Sequence, residues 1–209
     1  MIVLAVGGLA AAGKAHGNVL DRLIDSWIHA RIGSHYAELH GISTVGLIAS
    51  EVAAAVIVAA TLATRRLNAA ALTVISVPVA FVLTEYVLKP LVHERINSWL
   101  TYPSGHTQAV FCVVAIAAVL LVSRPRSSSP APWLRVLIVI LAAGVGCAVG
   151  VAMIGMGFHY FTDTVGGAAV GCGVVLATAF GLDRPGVRRR LGRPSIQRPN
   201  APMRRSSTF

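Results

Sequence analysis

His159 and Asp163 stand four residues apart in the stretch "GFHYFTD", the spacing at which two side chains on one helix share a face. A carboxylate so placed can hold one imidazole nitrogen as N–H and leave the other as a lone-pair nucleophile. A second histidine, His106, follows Pro-Ser-Gly at the head of a long apolar run, in "YPSGHTQAVF". At a helix N-terminus the free N–H groups favour an anion, and an imidazole there can protonate a leaving oxygen. Lys89, Arg95, the Ser104 hydroxyl and the Gly105 N–H complete a set able to surround phosphoryl oxygens. The chemistry that suits these residues is phosphoryl transfer through histidine. Each has a plainer alternative as well. Glu85 precedes Lys89 by four residues, so the two can form an ordinary helical pair, and Lys89 and Arg95 can anchor lipid headgroups.

The elements that must position these groups are membrane helices. The 209 residues are 55% hydrophobic and only 12% charged, about half the charge of a soluble domain. Apolar runs near the length of a bilayer crossing recur at 42–62, 67–88, 107–123, 133–153 and 164–182. The apolar start "MIVLAVGGLAAAG" reaches only about 20 Å as a helix. It is expected as a short first crossing, with a cleaved signal as the alternative. The expectation is an all-α, polytopic helical bundle of about six transmembrane helices, the first one short. Pro78 is expected to kink the third.

Between the first two crossings, Leu20, Leu23, Ile24, Trp27, Ile28 and Ile32 recur at helical spacing behind Asn18, a capping residue with Asp21 three positions on. This reads either as a helix in the membrane interface or as one packed on the bundle's outer face. His16, His29, His35 and His40 decorate the same stretch without metal-ligand spacing, and no metal site is expected. Cys112, Cys147 and Cys172 fall inside predicted crossings and read as small packing residues. Glu51 lies within the second crossing, where an ionisable group is either functional or tied into a structural hydrogen bond.

The net charge of +10 is a topology signal rather than a nucleic-acid footprint. Thirteen of the eighteen basic residues, from Arg65 and Arg66 to the tail, flank alternate helix ends on one side. The positive-inside rule makes that side cytoplasmic and puts the segments bearing Lys89, His106 and His159 outside. The chain therefore divides into a membrane-embedded domain, 1–182, and a basic tail, 183–209, without apolar periodicity and expected to be disordered.

The three polar segments resemble the signature blocks of the type 2 phosphatidic acid phosphatase (lipid phosphate phosphatase) family. The middle block is complete in Pro103-Ser104-Gly105-His106, the end of the third is present as His159 and Asp163, and the first runs from Lys89 to Arg95. The resemblance implies a six-helix, metal-independent phosphatase without a cofactor that works through a phosphohistidine. It assigns His159 as nucleophile, Asp163 as its orienting carboxylate and His106 as general acid, with Lys89, Arg95, Ser104 and Gly105 binding phosphate. The chain departs from the pattern in three places. Lys89 and Arg95 enclose five residues instead of six, Ile96 replaces a proline, and Ala152 and Met153 stand where the family has Ser-Arg. The implied substrate is a lipid phosphate in the plasma membrane, and the alanine- and arginine-rich composition leans towards polyprenyl phosphates of a bacterial envelope. The rival expectations are a non-catalytic lipid-phosphate-binding protein and a subunit of a membrane complex with a vestigial pocket.

Overall fold

A computed structural model of the chain describes residues 17–123 and 131–183. The first apolar segment and the basic tail lie outside the described residues. Within them the chain is helical throughout, apart from one small hairpin. The helices are α1 (Val19–Ile32), α2 (Tyr36–Ala63), α3 (Leu67–Val92), α4 (Gly105–Val122), α5 (Pro132–Gly155) and α6 (Phe161–Leu182). The last five are long and apolar enough to cross a membrane, and each begins or ends within a few residues of the apolar runs above. In hydrocarbon a backbone must satisfy its own polar groups, which an apolar run can do only as a helix. Large side chains such as Val45, Val56, Ile140, Leu141 and Phe180 remain exposed around the bundle, as a lipid-facing surface requires. The chain is a multi-pass membrane protein.

α4 is the central helix, packed on α2, α3, α5 and α6. Its contact with α6 is close because of glycine. A Cβ at Gly167 would run into the Ser104 carbonyl oxygen, and one at Gly171 would lie 2.6 Å from the Gln108 carbonyl oxygen. The backbones therefore touch, and the Ser104 N–H donates to the Asp163 carbonyl at 2.9 Å. Cys112 is buried between the two helices with Leu72, Ala80, Ile116 and Val175. On the other side of α4, Val110 and Val114 pack with Val149 and Met153 of α5. Cys147 is exposed instead of packed.

α3 contains Pro78, and its hydrogen-bond ladder then widens into a π-helical turn over Leu83–Leu88 before a last α turn, Lys89–Val92. The segment between α3 and α4 carries a feature absent from the sequence expectations. β1 (Arg95–Ile96) and β2 (Trp99–Leu100) form a two-residue hairpin, with Asn97 at φ 55°, a value asparagine tolerates in such turns.

α1 starts as anticipated. Asn18 Oδ1 accepts from the Asp21 N–H and Asp21 Oδ2 accepts from the Asn18 N–H, a reciprocal capping box. The helix packs one face on the bundle and leaves the other exposed. Ile28 and Asp21 are buried against the bundle, while Leu20, Leu23 and Trp27 stay exposed. Among the described residues, the histidines there have separate partners. His29 Nδ1 donates to the Gly155 carbonyl at 3.0 Å, His35 lies 3.9 Å from Glu38, and His40 stacks on Tyr36.

Candidate active site

The ends of α3, α4 and α6 that carry the candidate residues meet on one cavity of about 920 Å³. Lys89, Gly105, His106 and His159 line it, together with Glu85, Gln108 and Met153. The hairpin contributes Ile96, Asn97, Trp99 and Leu100. Away from these polar groups the cavity continues between α2 and α3, past Leu47, Ala54, Val77 and Phe81, with Glu51 on its wall. It is a polar seat joined to an apolar slot.

His159 differs from its expected placement. It precedes α6, with Tyr160 as the N-cap, so the pair with Asp163 forms across a helix start instead of along a helical face. The geometry still serves the same end. His159 Nδ1 lies 3.3 Å from Asp163 Oδ2, which also accepts the Tyr160 N–H at 2.8 Å. A carboxylate can only accept, so Nδ1 carries the proton and Nε2 keeps its lone pair. Asp163 is fully buried and His159 nearly so. Beneath them Tyr102 is buried, and burial first, then the charges of Asp163 and Glu94, push its phenol up to about 12.

The N-terminus of α4 lies at the same wall. Ser104 is its N-cap, with Oγ accepting from the Thr107 N–H and hydroxyl. That oxygen is fully buried and Ser104 does not line the cavity, so the structure places it as the cap that opens the helix. The N–H groups of Gly105 and His106, in the first turn, have no helical carbonyl to reach and are the natural anion donors there. Lys89 Nζ lies 2.7 and 2.9 Å from the two Glu85 oxygens, the helical pair anticipated from their spacing.

Arg95 is not brought to the cavity. It sits exposed in β1, and its Nη2 lies 3.1 Å from His93 Nε2. His93 Nδ1 lies 2.8 Å from the Pro90 carbonyl, so it is the protonated nitrogen and Nε2 accepts from the guanidinium. The one-residue-short spacing and the missing proline are the sequence signals that go with this displacement. Met153, at the position where the family pattern has arginine, is buried on the cavity wall. Arg22 and Arg31, basic residues of α1 on the same expected outer side, do not line the cavity, and Arg31 lies over the Trp27 ring.

Residues 76–184 match the family model described as the PAP2 superfamily. The chain belongs to that superfamily. Phosphatidylglycerophosphatase B of Bacillus subtilis (strain 168) is 33% identical over 85 residues, a stretch that covers 39% of this chain and 37% of that relative's length. No solved structure matches the chain.

Sequence reasoning missed what holds the PAP2 histidine segment in place. Two carboxylates of α1 cap α6 from outside. Asp21 Oδ1 accepts the Thr162 N–H at 2.9 Å and its Oδ2 accepts the Thr162 hydroxyl at 3.0 Å, while Asp25 Oδ1 accepts the Phe161 N–H at 3.1 Å. With Asp163, three carboxyl groups satisfy the free N–H groups of one helix N-terminus. The available signal was their i, i+4 spacing on the α1 face.

Asp25 also carries a pH dependence. Burial first, then the charge of Asp21, raise its carboxyl from 3.8 to about 7, against the Phe161 N–H, which lowers it. The folded protein thus binds this proton more tightly than the unfolded chain. Its stability falls as pH rises from 3.8 to about 7 and this group adds no further loss above that. Asp25→Asn should raise the apparent melting temperature at pH 8 by roughly 2–4 °C, and the gain should vanish near pH 4. An equal shift at both pH values in differential scanning fluorimetry would remove Asp25 as the source.

Proposed function

We propose that the chain is an integral-membrane phosphatase that removes the terminal phosphate of a lipid phosphomonoester or diphosphate. The observation that carries this reading is the shared cavity wall, where His159, oriented by Asp163, faces the same space as His106, Lys89 and the N-terminus of α4. In the first step His159 Nε2 attacks the terminal phosphorus and its bond to the leaving oxygen breaks. Protonated His106 gives its proton to that oxygen, the lipid alkoxide of a monoester or the lipid phosphate of a diphosphate, and Asp163 stabilises the positive charge that develops on the His159 ring. In the second step water attacks phosphorus, His106 takes its proton, and the nitrogen–phosphorus bond breaks to release inorganic phosphate.

The apolar slot beside the polar seat supports a lipid as the group that carries the phosphate. Polyprenyl phosphates and diphosphates are the favoured substrates on composition. Phosphatidate and phosphatidylglycerol phosphate complete the panel, the latter in keeping with the relative's name. Purified protein should release inorganic phosphate from at least one of these, with EDTA present. A protein that binds a lipid phosphate tightly without turnover is instead the non-catalytic binder for which Met153 speaks. Met153→Arg should leave turnover unchanged or raise it, by up to about tenfold for one added charge-assisted contact; a large loss in a folded variant would deny that position to the phosphate.

The proposed orientation puts the catalytic end outside the plasma membrane and the tail, 183–209, in the cytoplasm. It rests on the basic residues gathered at the opposite helix ends. A cysteine replacing Asn97 should react with an impermeant maleimide on intact cells, and one replacing Ser128 should not. The reverse pattern would put catalysis in the cytoplasm.

A further inference from the structure

The polar seat is poor in positive charge for a phosphate site. Lys89 is the one lysine or arginine among the described residues that line the cavity. Arg95 is engaged at His93, and the wall position where the family pattern has arginine is Met153. Two carboxylates, Glu85 of α3 and Glu51 of α2, line the same space. Glu85 is not peripheral to the seat. Both its oxygens hold Lys89 Nζ, at 2.7 and 2.9 Å, with the lysine and glutamate side chains only 16% and 29% exposed. Its Oε1 also lies against α4, where a Cβ built on Gly105 would come within 2.8 Å of it.

We infer that Glu85 is a resident competitor for the phosphate seat, an internal anion that holds the lysine the substrate must take and so sets the affinity of the site. The inference rests on the phosphatase reading and deepens it. Its basis is the ligand set. An ammonium plus the first turn of a helix is what a phosphoryl group requires, and the Glu85 carboxylate lies against both. Two anions on one lysine repel each other, so phosphate must displace Glu85 from Lys89. Glu85 sits in the π-helical turn of α3, a local irregularity of the kind that often marks functional sites. When inorganic phosphate leaves, the carboxylate returns to Lys89, which weakens product rebinding. Glycine at 105 leaves room for it; a larger residue there would collide with Oε1.

The test is the binding of orthovanadate and of inorganic phosphate to the purified full chain, read by calorimetry independently of turnover. Glu85→Gln keeps the shape and removes the charge. It should tighten both anions by about tenfold or more, and lower KM for the lipid phosphate in parallel. Glu51→Gln, which removes a charge from the same cavity but not from Lys89, should change binding by much less. In a Lys89→Ala background the gain from Glu85→Gln should disappear, since the two act on one contact. If Glu85→Gln fails to fold, Glu85→Asp, one methylene shorter and drawn back from Gly105, should give an intermediate tightening. Unchanged or weaker binding in Glu85→Gln, beside a wild type that turns over, overturns the inference and leaves the phosphatase reading standing. Equal tightening by Glu51→Gln overturns it too, because a general field would then be the cause. Tighter anion binding in Glu85→Gln with no wild-type turnover on any lipid phosphate supports the seat and defeats the phosphatase reading alone.

Discussion

His159→Ala should lower phosphate release by about a thousandfold or more, because it removes the atom that forms the bond to phosphorus. His106→Ala should cost nearly as much, since nucleophile and general acid act as a unit and losing either stops the cycle. Asp163→Asn is the sharper experiment. The Asp163 carboxylate accepts from both the His159 ring and the Tyr160 N–H. An amide can turn its NH2 towards Nδ1 and stabilise the wrong tautomer, with Nε2 protonated and unable to attack. A loss of about a hundredfold in kcat with KM little changed is expected, because the group acts on the ring and not on the bound lipid. Single-turnover release with a fluorescent lipid phosphate separates these effects from substrate partitioning into detergent. A folded His159→Ala variant that kept near wild-type rates would end the assignment of His159 as nucleophile.

The second large effect is expected at a position that carries no catalytic group itself. Gly167→Val puts a branched side chain where α6 and the start of α4 touch. The added Cβ alone meets the Ser104 carbonyl and lies 3.1 Å from the Gln108 nitrogen, and neither backbone group can swing aside. The helices must part, which strains the bond from Ser104 N–H to the Asp163 carbonyl. Overpacking of this kind costs about 1–3 kcal/mol. The change in geometry matters more. His106 begins one of these helices and His159 immediately precedes the other, so a displacement near 1 Å misaligns acid and nucleophile and costs about a hundredfold in rate. Gly173→Ala is the control on the same helix, because a Cβ there meets nothing within 4 Å. It should be active and slightly more stable. A Gly167→Val protein with normal turnover would show that the α4–α6 spacing does not set the site.

Much of the architecture was legible in the sequence, because the signals are local. Apolar length marks each crossing and basic residues mark one set of ends; Asn18 with Asp21 marks the start of α1. The histidines, Asp163, Lys89 and Gly105 could be read as one set because each sits at the end of an apolar run, and alternation places those ends together. What depended on packing between distant segments was not legible. Asp21 and Asp25 reach Thr162 and Phe161 across 141 and 136 residues, and no spacing rule connects them. The Ser104 hydroxyl could equally have faced a ligand; the helix start turned it inward as a cap. The resemblance assigns Arg95 to the phosphate in spite of its short spacing from Lys89, but the hairpin between α3 and α4 carries it out to His93. Glu85 read correctly as the partner of Lys89. Only the approach of α4, with glycine at its first position, set that carboxylate against the anion seat. A sequence carries spans, ends and caps because each depends on neighbouring residues alone. Which groups share a seat is a matter of how closely two helices approach, and that is decided by the backbone contacts small residues allow.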